Sequence, residues 1–139
     1  MQHYETVNIL MVDDDTVDIK LFQRALKARR ISNPLFFAGD GQEALELLNS
    51  GQISKPLIII LDINMPRMNG IEFLSKLRQH KTFKDSIVFV MTTSDAESDR
   101  DDAYSHHIAG YIVKSDLGEN FLKAVDMLDI YQNTIQLPV

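Results

Sequence analysis

Three consecutive aspartates, Asp13, Asp14 and Asp15, follow one short apolar run, and Asp62 follows another. Thr92 and Thr93 close a third run, and Lys114 closes a fourth. Carboxylates gathered closely repel one another, a cost that a divalent cation between them removes. Oxygen donors supplemented by water suit Mg²⁺, which usually takes one or two carboxylates. A lysine and a hydroxyl beside such an ion suit the stabilisation of a transferring phosphoryl group. In that chemistry Asp62 is the natural nucleophile, since an aspartate can form an aspartyl-phosphate. Thr92 would donate a hydrogen bond to a phosphoryl oxygen. The plain alternative is helix capping, a common role for a strand-terminal Asp. Capping accounts for one such residue; it does not account for Asp, Asp, Asp, Thr and Lys along a single edge.

That edge is implied by the order of elements. Short apolar runs at Val7–Val12, Pro34–Ala38, Leu57–Leu61, Ile87–Met91 and Tyr111–Val113 read as strands. Between and after them lie helical stretches: Thr16–Arg30, Gly41–Asn49, Gly70–His80, Ala96–His107 and Leu117–Tyr131. The first shows Ile19, Phe22, Ala25 and Leu26 at helical spacing. The central strands are apolar throughout rather than alternating, as befits strands covered on both faces. Five β–α units in a row predict an α/β fold, a doubly wound parallel sheet with helices on both faces. The carboxyl ends of its strands lie along one edge, where ligands bind.

Cap pairs mark the helix starts. Asp40 with Glu43, Asn69 with Glu72, Ser94 with Glu97 and Asp116 with Glu119 each place a cap former three residues before a Glu. The fourth helix has few apolar anchors, chiefly Ala96, Ala103 and Tyr104, so it is expected to be the least stable element. His106 and His107 follow it. Adjacent helical residues point about 100° apart, which makes joint metal ligation awkward, and surface positions at a helix C-terminus are the expected reading.

Composition excludes several classes. The chain has 139 residues, 45% hydrophobic and 24% charged, consistent with one globular domain over 1–139 with a core at about 8–131 and a short extension at 132–139. It has no cysteine, which removes disulfides, thiol nucleophiles and Cys-ligated zinc. Lys+Arg total 14 against 20 Asp+Glu, a net charge of −6 that argues against direct nucleic-acid binding. No apolar run approaches the about 18 residues of a membrane span, and no signal peptide is evident. The expected location is the cytoplasm.

The motifs resemble the receiver domain of two-component response regulators. The resemblance covers roughly Asn8 to Tyr131 and rests on Ile9-Leu-Met-Val-Asp-Asp-Asp15, Leu61-Asp-Ile-Asn-Met-Pro-Arg-Met-Asn-Gly70, Met91-Thr-Thr-Ser94 and Gly110-Tyr-Ile-Val-Lys114. It implies a flavodoxin-like (βα)5 fold with strand order 2-1-3-4-5. It implies that Asp62 accepts a phosphoryl group from a phosphohistidine of a sensor histidine kinase or phosphotransfer protein. By the same resemblance, Asp14 and Asp62 ligate Mg²⁺ directly, Asp13 acts mainly through water, and the backbone carbonyl of Asn64 completes the protein ligands. Lys114 binds the phosphoryl group, Thr92 moves toward it, and Tyr111 turns inward. The output surface is the fourth helix, fifth strand and fifth helix, acting on a downstream protein. Asp15 matches no ligand position and reads as a helix cap, with Thr16 as its rival; Pro66 and Gly70 read as loop-shaping. One departure is Lys114-Ser115, where the family usually has Lys-Pro with a cis bond. A cis bond before a non-proline residue costs about 2.5–4 kcal/mol, so a trans bond is expected.

A finer resemblance is to small stand-alone receivers associated with bacterial phytochromes. Leu128, Ile130, Tyr131, Ile135 and Leu137 continue an apolar series past the expected end of the fold, either covering a second copy in a homodimer or folding back on the chain's own core. Two rival functions are a haloacid-dehalogenase-like phosphatase and a receiver that only binds partners. The first needs a second Asp two residues after the nucleophile, where this chain has Asn64. The second is disfavoured by the presence of Asp13, Asp14, Asp62, Thr92 and Lys114.

Overall fold

The computed structural model describes residues 6–114 and 119–139. Ten elements alternate along the chain: β1 (Asn8–Val12), α1 (Thr16–Ala28), β2 (Leu35–Ala38), α2 (Gly41–Asn49), β3 (Leu57–Leu61), α3 (Gly70–Leu77), β4 (Ile87–Thr92), α4 (Glu97–Ser105), β5 (Gly110–Val113) and α5 (Glu119–Thr134). The strands form one parallel sheet in the order β2-β1-β3-β4-β5, the doubly wound flavodoxin-like arrangement.

Alternation along each strand splits the core into two layers. Leu10 and Val12 of β1, with Leu57, Ile59 and Leu61 of β3, face α2, α3 and α4 through Ala44, Leu48, Phe73, Leu74, Leu77 and Ala103. Ile9 and Met11, with Ile58 and Ile60, face α1 and α5 through Phe22, Ala25, Leu26, Val125 and Leu128. All residues of β1 and β3 are buried, which is why these strands read as unbroken apolar runs. Strand β5 is half-buried along its length, as an edge strand should be. Among the described residues no helix is long and apolar enough to cross a membrane.

Several boundaries differ from the sequence reading. Helix α1 stops two residues early because Arg30 adopts a left-handed φ of 57°. Its N–H reaches the Lys27 carbonyl, and Ile31 reaches back to Leu26, a Schellman closure with arginine where glycine is usual. His107 likewise takes left-handed backbone after α4 at φ 60°, with its N–H on the Tyr104 carbonyl. The rhythm predicted for α3 to His80 instead ends at Leu77, where Gln79 and His80 turn onto the carbonyls of Lys76 and Leu77.

The expected caps form at Asp15, Asp40 and Asn69, whose side chains accept from Val17, Glu43 and Glu72 N–H groups. Thr16 is therefore inside α1 and not its cap. The expectation for Ser94 is corrected: Ala96 caps α4 without a side-chain bond, because the Ser94 hydroxyl donates to Asp99 at 2.5 Å and accepts from Ala96 N–H. The Asp116–Glu119 pair and the Lys114–Ser115 bond lie outside the described residues. Of α4, only Ala103 is buried, in keeping with the expectation of a weakly anchored helix.

The C-terminal apolar series divides. Leu128 is fully buried, Tyr131 meets the Phe89 ring edge-on at 5.2 Å, and Leu137 packs against the same layer. Ile130 and Ile135 remain exposed. Gln132 and Asn33 exchange two amide hydrogen bonds at 2.7 and 3.1 Å, so α5 continues past the expected core limit to Thr134.

Candidate functional site

Sheet register sets the site. Val12 is level with Leu61, so Asp13 and Asp62 leave adjacent strands at the same height. Their backbones continue the ladder one step, Asp13 N–H to the Ala38 carbonyl and Asp62 N–H to the Val12 carbonyl. Thr92 pairs in register with Val113, and Lys114 N–H bonds the Thr92 carbonyl. Four of the side chains that sequence reasoning placed on one edge, Asp13, Asp62, Thr92 and Lys114, are thus brought together at one point, and all four are buried.

One oxygen of Asp62, Oδ1, accepts from the Asn64 N–H at 3.0 Å and from the Thr92 hydroxyl at 2.9 Å. The other, Oδ2, lies 3.6 Å from the Lys114 ammonium. Asp13 Oδ1 accepts from the Asp15 N–H, and its Oδ2 receives Lys114 at 2.7 Å. Asp14 is exposed at the mouth of the site, beside an open depression of about 450 Å³ lined by Asn64, Met65, Pro66 and Asp99 among others. Asp13, Asp14 and Asp62 each offer a carboxylate oxygen, and these oxygens lie within 4.8 Å of one another. Three hard oxygen donors at that spacing fit one divalent cation.

Sequence reasoning missed Asp18. It lies in the first turn of α1, buried, with Oδ2 at 2.6 Å from Lys114 Nζ. A signal was available: Asp18 precedes Phe22 by four residues and Ala25 by seven, on the buried stripe of α1, where a carboxylate demands a partner.

The electrostatics follow from one ammonium serving three carboxylates. Burial pushes the Asp13 carboxyl up to about 6, over the opposing pull of Lys114 and the Asp15 N–H. Burial by itself disfavours the charged Lys114, but the hydrogen bonds to Asp13 and Asp18 outweigh it and hold the ammonium above its ordinary pKa. Lys114 therefore stays protonated, and the pocket keeps surplus negative charge.

Two further residues link this edge to α4. The Tyr111 hydroxyl donates to the Ser94 carbonyl at 2.9 Å, and the Ser94 hydroxyl reaches Asp99 of α4. Tyr111 is half-buried, and burial raises its pKa above the usual phenol value. Thr93 is exposed. Gly70 is required by close approach. A Cβ there would lie 2.5 Å from the Ile63 Cα and 2.7 Å from the Asp62 carbonyl oxygen.

A doubly wound sheet with an acidic crevice beside a buried lysine defines a class of phosphoacceptor signalling domains. The chain belongs to the response regulator receiver domain family, whose sequence model matches residues 9–126. Receiver domains take phosphoryl groups from histidine kinases and act on downstream targets. The chain is 33% identical over 135 residues to response regulator Rcp1 of Synechocystis sp., covering 94% of this chain and 92% of that one. Its fold matches the phosphorylated cyanobacterial phytochrome response regulator RcpA with a TM-score of 0.85 at 30% identity, covering 95% and 98% of the two chains. It matches the Mn²⁺-bound form of Rcp1 with a TM-score of 0.81 at 32% identity, covering 95% and 99%. The resemblance to phytochrome-associated receivers thus holds, and the haloacid-dehalogenase reading falls.

Proposed function

We propose that Asp62 accepts a phosphoryl group from the phosphohistidine of a sensor kinase or phosphotransfer protein, in a Mg²⁺-dependent reaction in the cytoplasm. The observation that carries this reading is the division of labour on Asp62. Oδ1 is held by Thr92 and the Asn64 N–H, while Oδ2 faces Lys114. A carboxylate fixed at one oxygen and facing a cation at the other is oriented for in-line attack. In the transfer, the donor's P–N bond breaks with its electron pair left on the imidazole as a P–O bond forms to Asp62. Lys114 meets the charge on the phosphoryl oxygens, and Thr92, on leaving Asp62, donates to another of them.

Asp14, Asp62 and the Asn64 carbonyl would hold Mg²⁺, with Asp13 acting mainly through water. The ion would offset the surplus charge of the cluster and the phosphoryl oxygens. Movement of Thr92 frees space toward Tyr111, whose hydroxyl bond to Ser94 ties it to the start of α4. The signal then leaves through α4, β5 and α5, by contact with a downstream protein or by phosphorelay, and a second copy of the chain is one such contact.

Acetyl phosphate with Mg²⁺ tests the reading without a kinase. The parent should gain one phosphoryl group by intact-mass spectrometry, Asp62→Asn should gain none, and EDTA should abolish labelling. Equal modification of parent and Asp62→Asn overturns Asp62 as acceptor. A parent that stays unmodified with acetyl phosphate and with kinases is a binding module only.

A further inference from the structure

Asp18 has no part in the reading above. It lies outside the carboxylate cluster suited to a metal ion, and α1 is capped by Asp15. Yet its side chain is 8% exposed and its Oδ2 makes the shortest of the three contacts to Lys114. A carboxylate on the apolar stripe of a helix costs stability unless it is paired. A lysine ammonium is a point charge on a flexible four-carbon stem, with three donors. Two of these donors are taken on the α1 side of the site, by Asp13 at 2.7 Å and Asp18 at 2.6 Å. The third is left for Asp62 Oδ2, at 3.6 Å and not yet in hydrogen-bond contact.

We propose that Asp18 is a positioning residue: with Asp13 it pins the Lys114 ammonium, so that the remaining donor meets a phosphoryl oxygen arriving at Asp62. A single anchor on Asp13 would let the stem swing about that contact. Two anchors, one just after β1 and one from α1, define the Nζ position before phosphoryl transfer begins, and preorganisation of this kind lowers the barrier. The inference rests on Asp62 being the phosphoacceptor.

The test follows the initial rate of labelling by acetyl phosphate and Mg²⁺ in the parent, Asp18→Ala, Asp18→Asn and Asp62→Asn, with folding checked by circular dichroism. Asp18→Ala should label about tenfold more slowly, the effect on a transition state of leaving Nζ with one anchor. Asp18→Asn keeps an oxygen acceptor for Nζ and should stay within about threefold of the parent. The second arm uses Lys114→Gln, where adding Asp18→Ala should cause no further loss, because residues acting through one another are not additive. This pair also decides the matter if Asp18→Ala alone does not fold. Labelling of Asp18→Ala at the parent rate overturns the proposal. So does an Asp18→Asn variant as slow as Asp18→Ala, or a further large loss in the Lys114→Gln background. A parent that is not labelled, or an Asp62→Asn variant labelled equally, overturns the phosphoacceptor reading and this inference with it. A parent labelled at Asp62 beside an equally fast Asp18→Ala overturns this inference alone.

Discussion

Arg78 shows how much one side chain can tie together. Its guanidinium donates to the carbonyls of Lys84 and Ser86 before β4, and of His106 and His107 after α4. A helix with only one buried side chain thus has its C-terminus held by the arginine that follows α3. Arg78→Ala should lower stability by about 2–3 kcal/mol, read as a fall in the urea midpoint, since several carbonyls lose a charged donor. Arg78→Lys should recover little, because one ammonium cannot span the fork. Asp40 makes a different kind of bond. Burial works against its charge, but the Glu43 N–H and the Arg67 guanidinium hold its carboxyl below the ordinary carboxylate range. A depressed folded pKa contributes stability above the unfolded value and loses it as pH falls through the folded one. The stability difference between parent and Asp40→Asn should therefore be constant from about pH 5 to 7 and shrink below about pH 4 in a series of urea titrations. The roles of Asp15 and Asp40 are legible in the sequence because capping acts across two or three residues. Those of Asp18 and Arg78 are not, since Lys114 lies 96 residues from Asp18 and the α4 carbonyls 28 or 29 residues from Arg78.

At the scale of elements, the β3–α3 turn carries the site. Gly70 opens α3 against the backbone of Asp62 and Ile63, and its N–H bonds the Ile63 carbonyl at 3.0 Å. Gly70→Ala should cost about 1–3 kcal/mol, as overpacking does. It should also slow labelling of Asp62, because the clash falls on backbone that cannot rotate away; an unchanged labelling rate would count against the turn's role. Strand positions were readable to within a residue or so, since buried parallel strands are unbroken apolar runs. Helix ends were less so. Arg30 and His107 take left-handed backbone without the glycine that marks such a position in sequence. The Ser94 pattern matched a cap, yet its hydroxyl went to Asp99, because the loop after β4 turns two residues later than the pattern requires.

At the scale of the molecule, α5 and the residues after it both seal one core layer and present a surface. Leu128, Tyr131 and Leu137 turn inward, while Ile130 is 66% exposed and Ile135 46%. If these two pair with a second copy, sedimentation velocity at micromolar concentration should show a dimer that Ile130→Glu returns to monomer; a monomeric parent overturns the pairing. The order of apolar runs and amphipathic stretches, by itself, determined the five-stranded parallel sheet and the edge on which Asp13, Asp62, Thr92 and Lys114 meet. Those features follow from local periodicity and from the single direction of parallel strands. Only the tertiary structure decided which carboxylates hold Lys114, which oxygen of Asp62 faces it, and what anchors α4. Each depends on how far α1, α3 and α4 slide along the sheet before their side chains interlock, and packing against distant neighbours sets that distance.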